Sequence, residues 1–355
     1  MKVTVVLLVV LLQSAHACAQ DLKPIEPGRL PPSLRERNIK AFETPHATIL
    51  APSGERAESL AKLVEPAAEH FKKVFRKEAP RVLLAAMEKP IDDQWCEVLR
   101  CRTMLPWFPE DNYRETLGKR IRQQLKQQSP KATEEEIEAK VKDVLARAES
   151  RGVKQTYDQT LSHELGHNWF TNTFWPNIHG RSDGIHYGSP ADDWLDEAAA
   201  ISLETPEMKA NRYRNLPGHF AADRIVPLEK LFVMEHPKRP AVGASKEPSG
   251  KPVLGSGDKS KLVAVEAFYS QTLSVMDFMN EKARKAGLLA AIAESQVKGQ
   301  HMEEWLRTQG PKWNLPRTVA ELEKEWRTWL DAKLKSPKAK ENGEGRNGGI
   351  GNKKG

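Results

Sequence analysis

Cysteine is scarce, with three residues in 355, at Cys18, Cys96 and Cys101. That scarcity excludes a disulfide-built scaffold and a cysteine-ligated metal ribbon, since both need several short-spaced pairs. Long apolar runs are missing beyond the first dozen residues, so no integral membrane segment is expected after them. Aromatic residues make up 7% of the chain and do not interleave with basic ones, which excludes the pattern of a nucleic-acid surface. Internal repeats are absent, which excludes solenoids and propellers. What remains is a composition of 39% hydrophobic and 29% charged residues, ordinary for a globular protein and long enough for one two-lobed unit.

The first residues carry an address. Lys2, the apolar run Val5 to Leu12 and small residues at Ala15, Ala17 and Ala19 have the layout of a secretory signal peptide over 1–19. Cleavage after Ala19 starts the mature chain at Gln20, and cleavage after Ala17 is an alternative. Lipid anchoring through Cys18 is disfavoured by the poor lipobox Ser14-Ala15-His16-Ala17. The expectation is an exported protein, periplasmic or extracellular. In that oxidising setting the spacing of Cys96 and Cys101 predicts a small disulfide loop. The formal net charge is +7. Basic residues gather between Lys333 and Lys354 beside Gly and Asn, so 336–355 reads as a solvated basic tail, capable of weak contact with anionic surfaces.

Four segments follow. Residues 20–40 hold prolines and charges without a period and read as a leader arm. Residues 41–151 read as an N-terminal α/β lobe. It has a strand at His46–Leu50, a helix over 57–77 whose stripe is Leu60, Leu63, Val64, Ala67, Phe71 and Val74, and a buried strand at Arg81–Met87. Pro66 is placed to kink or split that helix. Inserted at 110–151 is a charged helical hairpin, Tyr113–Gln128 and then a helix opened by a Thr133/Glu136 capping box. It reads as a solvated surface hairpin or a substrate lid. Residues 152–335 read as a helical catalytic lobe, with helices at 155–172, 192–204, 264–282 and 319–334, a long exposed loop at 236–262, and Trp326 and Trp329 in the core.

The chemistry sits in His163-Glu164-Leu165-Gly166-His167. Histidines four apart on a helix share one face, so both imidazoles can reach one ion. Zinc suits neutral imidazole and leaves one position for water. Glu164, beside the first ligand, can take that water's proton as general base. Phe170 and Thr173 stand where a metzincin continuation needs glycine and histidine, so the third ligand lies elsewhere. Glu197, on a second helix opened by Asp193 as N-cap, completes a two-His, one-carboxylate site. Asp183 or His186, in a loop that also holds His179, are rivals. Asp193 or Asp196 can orient a ligand imidazole.

His163-Glu-Leu-Gly-His-Asn-Trp-Phe170 resembles the zinc helix of gluzincin peptidases of the aminopeptidase N type. Trp194-Leu-Asp-Glu197-Ala is similar to that family's Trp-Leu-Asn-Glu-Gly segment. The resemblance implies an α+β, thermolysin-like fold, with a small α/β lobe facing a mostly helical one and substrate in the cleft. It implies zinc bound by His163, His167 and Glu197, with Glu164 as base. It also implies a downstream tyrosine donating to the oxyanion, for which Tyr269 is the choice, with Tyr187 and Tyr213 as further candidates. Glu197 follows His167 by thirty positions, which implies an insertion at 177–191. The Gly-Ala-Met-Glu-Asn segment that binds a substrate's free amino terminus is absent, so aminopeptidase activity is not implied. The expectation is a secreted zinc metallopeptidase acting on peptide or protein substrates. The alternatives are a non-catalytic binding module on the same scaffold, or a non-peptide amide or ester hydrolase.

Overall fold

The computed structural model describes residues 22–36, 39–87, 94–109, 113–129, 132–150, 157–177, 189–237 and 259–335. The class is mixed α+β. Five strands form one sheet in the order β1 (Lys23–Pro24), β2 (Lys40–Glu43), β3 (Ala47–Ala51), β4 (Val82–Ala86), β5 (Thr103–Trp107). β1, β2 and β3 pair antiparallel, while β3, β4 and β5 pair parallel. Every residue of β3 and β4 is buried, the mark of central strands covered on both faces.

A parallel pair needs a crossover, and α2 (Gly54–Phe75) supplies it between β3 and β4. Its buried positions Ala57, Leu60, Ala61, Val64, Ala68, Phe71 and Phe75 recur every three or four residues, one continuous apolar face. Pro66 stands exposed on the opposite side and the helix runs through it unbroken.

The proline-rich stretch is not a free arm. β1 adds a strand to the sheet, and Ile25, Leu30 and Leu34 join Ala41, Leu50, Leu83, Trp95 and Leu99 in one buried cluster. Pro27 and Pro32 each open a short helical turn, where the missing N–H costs nothing. The second turn is α1 (Pro32–Arg35). Ile25 and Leu30 flank the first turn and Leu34 lies in the second, which leaves no period to read.

The expected disulfide is also corrected. Cys96 and Cys101 are free thiols. Cys96 lies in the middle of α3 (Gln94–Val98), and a main-chain bond runs from Cys101 N back to Cys96 O at 2.8 Å. Cys101 is buried in the cluster, with Sγ 3.5 Å from Leu99 O.

The charged hairpin is α4 (Tyr113–Gln128) and α5 (Glu134–Ser150). The capping box forms as expected. Glu136 N donates to Thr133 Oγ1 at 3.2 Å, and Thr133 N donates to Glu136 Oε2 at 3.0 Å. Ile137 and Val141 are buried, and Arg122 and Lys126 on α4 pair with Glu138 and Glu134 on α5.

The remaining helices are α6 (Leu161–Phe174), α7 (Asp193–Ser202), α8 (Pro206–Ala221), α9 (Leu228–Leu231), α10 (Lys259–Ala283), α11 (Leu288–Gln296), α12 (Met302–Gln309) and α13 (Val319–Lys335). α10 packs against α7, α8 and α13. On α13 Leu322, Trp326 and Leu330 are buried as expected, but Trp329 is half-exposed, its Nε1 donating to Glu281 Oε2 at 3.0 Å. The chain divides into two compact units, Met1–Glu69 with Pro80–Leu165 and His70–Ala79 with Gly166–Gly355, so two of the three divisions fall inside a helix, α2 and α6, and the third lies between α2 and β4.

Among the described residues no helix is long and apolar enough to cross a membrane. The signal segment, the basic tail, most of the 236–262 loop, and His179, Asp183, His186 and Tyr187 lie outside the described residues.

Candidate metal centre

α6 begins after a 3-10 turn at Tyr157–Thr160. Leu161, Leu165, Trp169 and Phe170 are its buried face. Trp169 meets Phe71 edge-on at 5.8 Å between ring centroids, and Phe170 packs on Phe75 at 5.6 Å. These large anchors fix the rotation of the helix. They leave His163 buried, His167 half-buried and Glu164 exposed.

α7 lies hard against α6. A Cβ at Gly166 would stand 2.6 Å from Ala200 Cα and 3.2 Å from Ala199 O, so only glycine permits the approach. All ten residues of α7 are buried, and its Ala198-Ala199-Ala200 run supplies the flat surface that glycine meets.

His163, His167 and Glu197 each offer a ligand atom, and these atoms all lie within 4.8 Å of one another. His167 Nε2 is 3.7 Å from Glu197 Oε1. The other ring nitrogen of His167, Nδ1, is 3.0 Å from Asp196 Oδ2. A carboxylate accepting from Nδ1–H places the lone pair on Nε2, the nitrogen that faces Glu197. Burial pushes the Asp196 carboxyl above its ordinary range, with His167 acting against that shift.

Four acids on or just after α7 are buried, namely Asp193, Asp196, Glu197 and Glu204. Such a concentration is costly without positive charge beside it. Arg212 answers Glu204, its Nε donating to Oε2 at 2.7 Å. Asp193 Oδ2 accepts the main-chain N–H of His236 at 2.6 Å. A divalent cation held by His163, His167 and Glu197 would supply charge where Glu197 is buried, and two imidazoles with one carboxylate are a donor set that fits it.

No family model, curated protein or solved structure matches this chain. The chemistry of the site therefore has to be read from its own residues.

Tyr269, on α10, is half-buried. Its hydroxyl is 3.2 Å from His236 Nε2, and Arg212 Cζ stands 4.5 Å over its ring. Tyr213 is placed differently, donating to Asp277 Oδ2 at 2.7 Å and approached by Lys333. Burial and then Asp277 push its phenol far above the usual range. The N-cap of α7 is Asp192, not Asp193, and its side chain makes no cap bond. Instead Asp192 Oδ2 accepts from Gln296 Nε2 at 2.7 Å. Asp193 orients His236, and Asp196 is the acid that orients His167.

Two residues escaped sequence reasoning. Arg212 sits in a helix with no marking pattern. His236 opens a stretch whose composition reads as exposed loop, yet it is 1% exposed, with Nε2 at 3.1 Å from Glu197 Oε1. The one usable signal was its place just before the loop signals begin.

Proposed function

We propose that this chain is an exported zinc metallopeptidase of gluzincin type that hydrolyses peptide bonds in peptide or protein substrates. The observation that carries the reading is the convergence of His163, His167 and Glu197 within 4.8 Å, with exposed Glu164 next to the first histidine on the same helix. Two nitrogens and one oxygen leave a tetrahedral ion one open position, which is the catalytic rather than the structural arrangement. The ion, when bound, supplies Lewis acidity to water and to the scissile carbonyl.

The chain's own groups do the rest. Glu164 accepts the proton of the attacking water and delivers it to the leaving nitrogen, so the base becomes the acid within one turnover. Asp196 holds the His167 ring so that its ligating nitrogen keeps its direction. Tyr269 donates its hydroxyl hydrogen to the oxygen that gains charge in the transition state, a contact worth most at that moment. The guanidinium of Arg212 over the Tyr269 ring favours that donation, because a cation on the ring face draws electron density from the phenol.

The test is a paired measurement of metal content and cleavage of a mixed peptide library. Glu164→Gln is expected to keep the metal and lose about 10²–10⁴-fold in cleavage rate. Glu197→Ala is expected to lose the metal. A wild-type protein that holds zinc and cleaves nothing overturns the peptidase reading and leaves a binding module. If Glu197→Ala keeps the metal while Asp183→Ala loses it, the third ligand is reassigned.

A further inference from the structure

His236 is bound to α7 at two points. Its main-chain N–H donates to Asp193 Oδ2 at 2.6 Å, in the first turn of that helix. Its Nε2 lies 3.1 Å from Oε1 of Glu197, one turn further on. The same nitrogen is 3.2 Å from the hydroxyl of Tyr269 on α10. The ring is held edge-on to Phe268 at 5.3 Å and tilted on Tyr269 at 5.5 Å. His236 stands outside the three-residue ligand group, so it is placed to act on a ligand rather than to be one.

Burying an imidazole this fully costs desolvation and side-chain entropy, and it is retained where its hydrogen bonds are made. Nε2 shares a hydrogen bond with the Tyr269 hydroxyl, and Glu197 Oε1 stands 3.1 Å from the same nitrogen as a charge contact. One imidazole thereby bears on both the placement of the Glu197 carboxylate and the direction of the Tyr269 hydroxyl.

We propose that His236 is a positioning residue that ties the third ligand, Glu197, to the oxyanion donor, Tyr269, through Nε2. The inference rests on the metallopeptidase reading above for the roles of those two partners. It adds a residue outside the zinc-binding motif whose loss would disturb metal binding and transition-state stabilisation together.

The experiment uses the purified full chain and three variants. His236→Phe keeps the ring volume and removes the polar contacts of Nε2. His236→Gln returns an amide N–H near the position of Nε2. His236→Asn, whose amide is too short to reach Glu197, replaces the phenylalanine variant if that one does not fold. Zinc and cobalt affinities are measured by competition with a chelator, the visible spectrum of the cobalt-loaded protein is recorded, and kcat and KM are determined for a cleaved peptide. The phenylalanine variant is expected to bind either metal about 10–100-fold more weakly, to show an altered cobalt spectrum, and to lose kcat with little change in KM. The glutamine variant is expected to recover most of the affinity and the spectrum. Wild-type affinity and spectrum in the phenylalanine variant overturn the positioning role alone. Equal losses in the phenylalanine and glutamine variants also overturn it, since they would reflect packing. A wild-type chain that binds neither metal overturns the metal centre itself.

Discussion

Gly166 and Ala200 meet backbone to backbone, with 2.6 Å between the place a Cβ would occupy on one and the Cα of the other. Glycine within a helix ordinarily costs about 1 kcal/mol relative to alanine, so local propensity alone makes Gly166→Ala stabilising. The contact reverses that sign. An added methyl has only backbone to push against, and overpacking of this kind costs about 1–3 kcal/mol. Gly166→Ala is expected to lower the thermal midpoint by a few degrees and, by moving α7 away, to weaken zinc binding. A midpoint that rises on substitution would show that the helices separate freely.

Asp196 is fully buried and reaches His167 Nδ1 at 3.0 Å. Its carboxylate holds the ring tautomer that presents Nε2, and outer groups of this kind are worth about 10–100-fold in metal affinity. Asp196→Asn is expected to weaken zinc binding by that factor while the metal-free protein keeps or gains thermal stability, because burial disfavours the charged carboxylate it removes. Loss of metal-free stability together with unchanged affinity would reverse the assignment.

What was legible in advance was local and periodic. The stripe of α2, the Thr133/Glu136 capping box and the pairing of His163 with His167 are each set by spacings of three or four residues, and the structure contains all three. Glu197 lies far along the chain, yet it does join the histidines. Features set by tertiary packing left no such trace. Ile25, Leu30 and Leu34 enter the core from in and around short, unrelated pieces of structure. His236 is buried although the residues after it read as loop. Cys96 and Cys101 are free thiols, both packed on the cluster that Ile25, Leu30 and Leu34 enter. Trp329 shares a helical face with Trp326 but lies at its rim, where the indole N–H finds Glu281.

Asp158 lies in the turn that leads into α6 and is bound on three sides. Arg56 donates to both carboxylate oxygens, at 2.5 and 2.8 Å, and Trp107 Nε1 donates at 3.0 Å. Arg56 and Asp158 are both buried. Removing one charge from such a pair leaves the other desolvated and unanswered, a loss of about 3–5 kcal/mol. Asp158→Asn is expected to destabilise its unit by that amount, read from the shift of the urea transition. A loss below about 1 kcal/mol would mean that water reaches Arg56 and that the pair behaves as a surface one.

Glu65 provides a pH test remote from the metal centre. Its Oε1 accepts from His46 N at 3.2 Å and its Oε2 lies 2.7 Å from His46 Nδ1. Burial pushes the Glu65 carboxyl up, but the hydrogen bonds from His46 and Thr44 and the charge of His46 outweigh it, so the group lies below its ordinary value of 4.5. A carboxyl depressed in the folded state stabilises the protein above the unfolded value, and that contribution disappears as pH falls through the folded one. Glu65→Gln is therefore expected to lower the thermal midpoint by a few degrees at neutral pH. The gap to wild type should persist down to about pH 4.5 and close below it. A gap that is the same at pH 3 and pH 7 would show that packing, not the charged hydrogen bonds, is what the substitution removes.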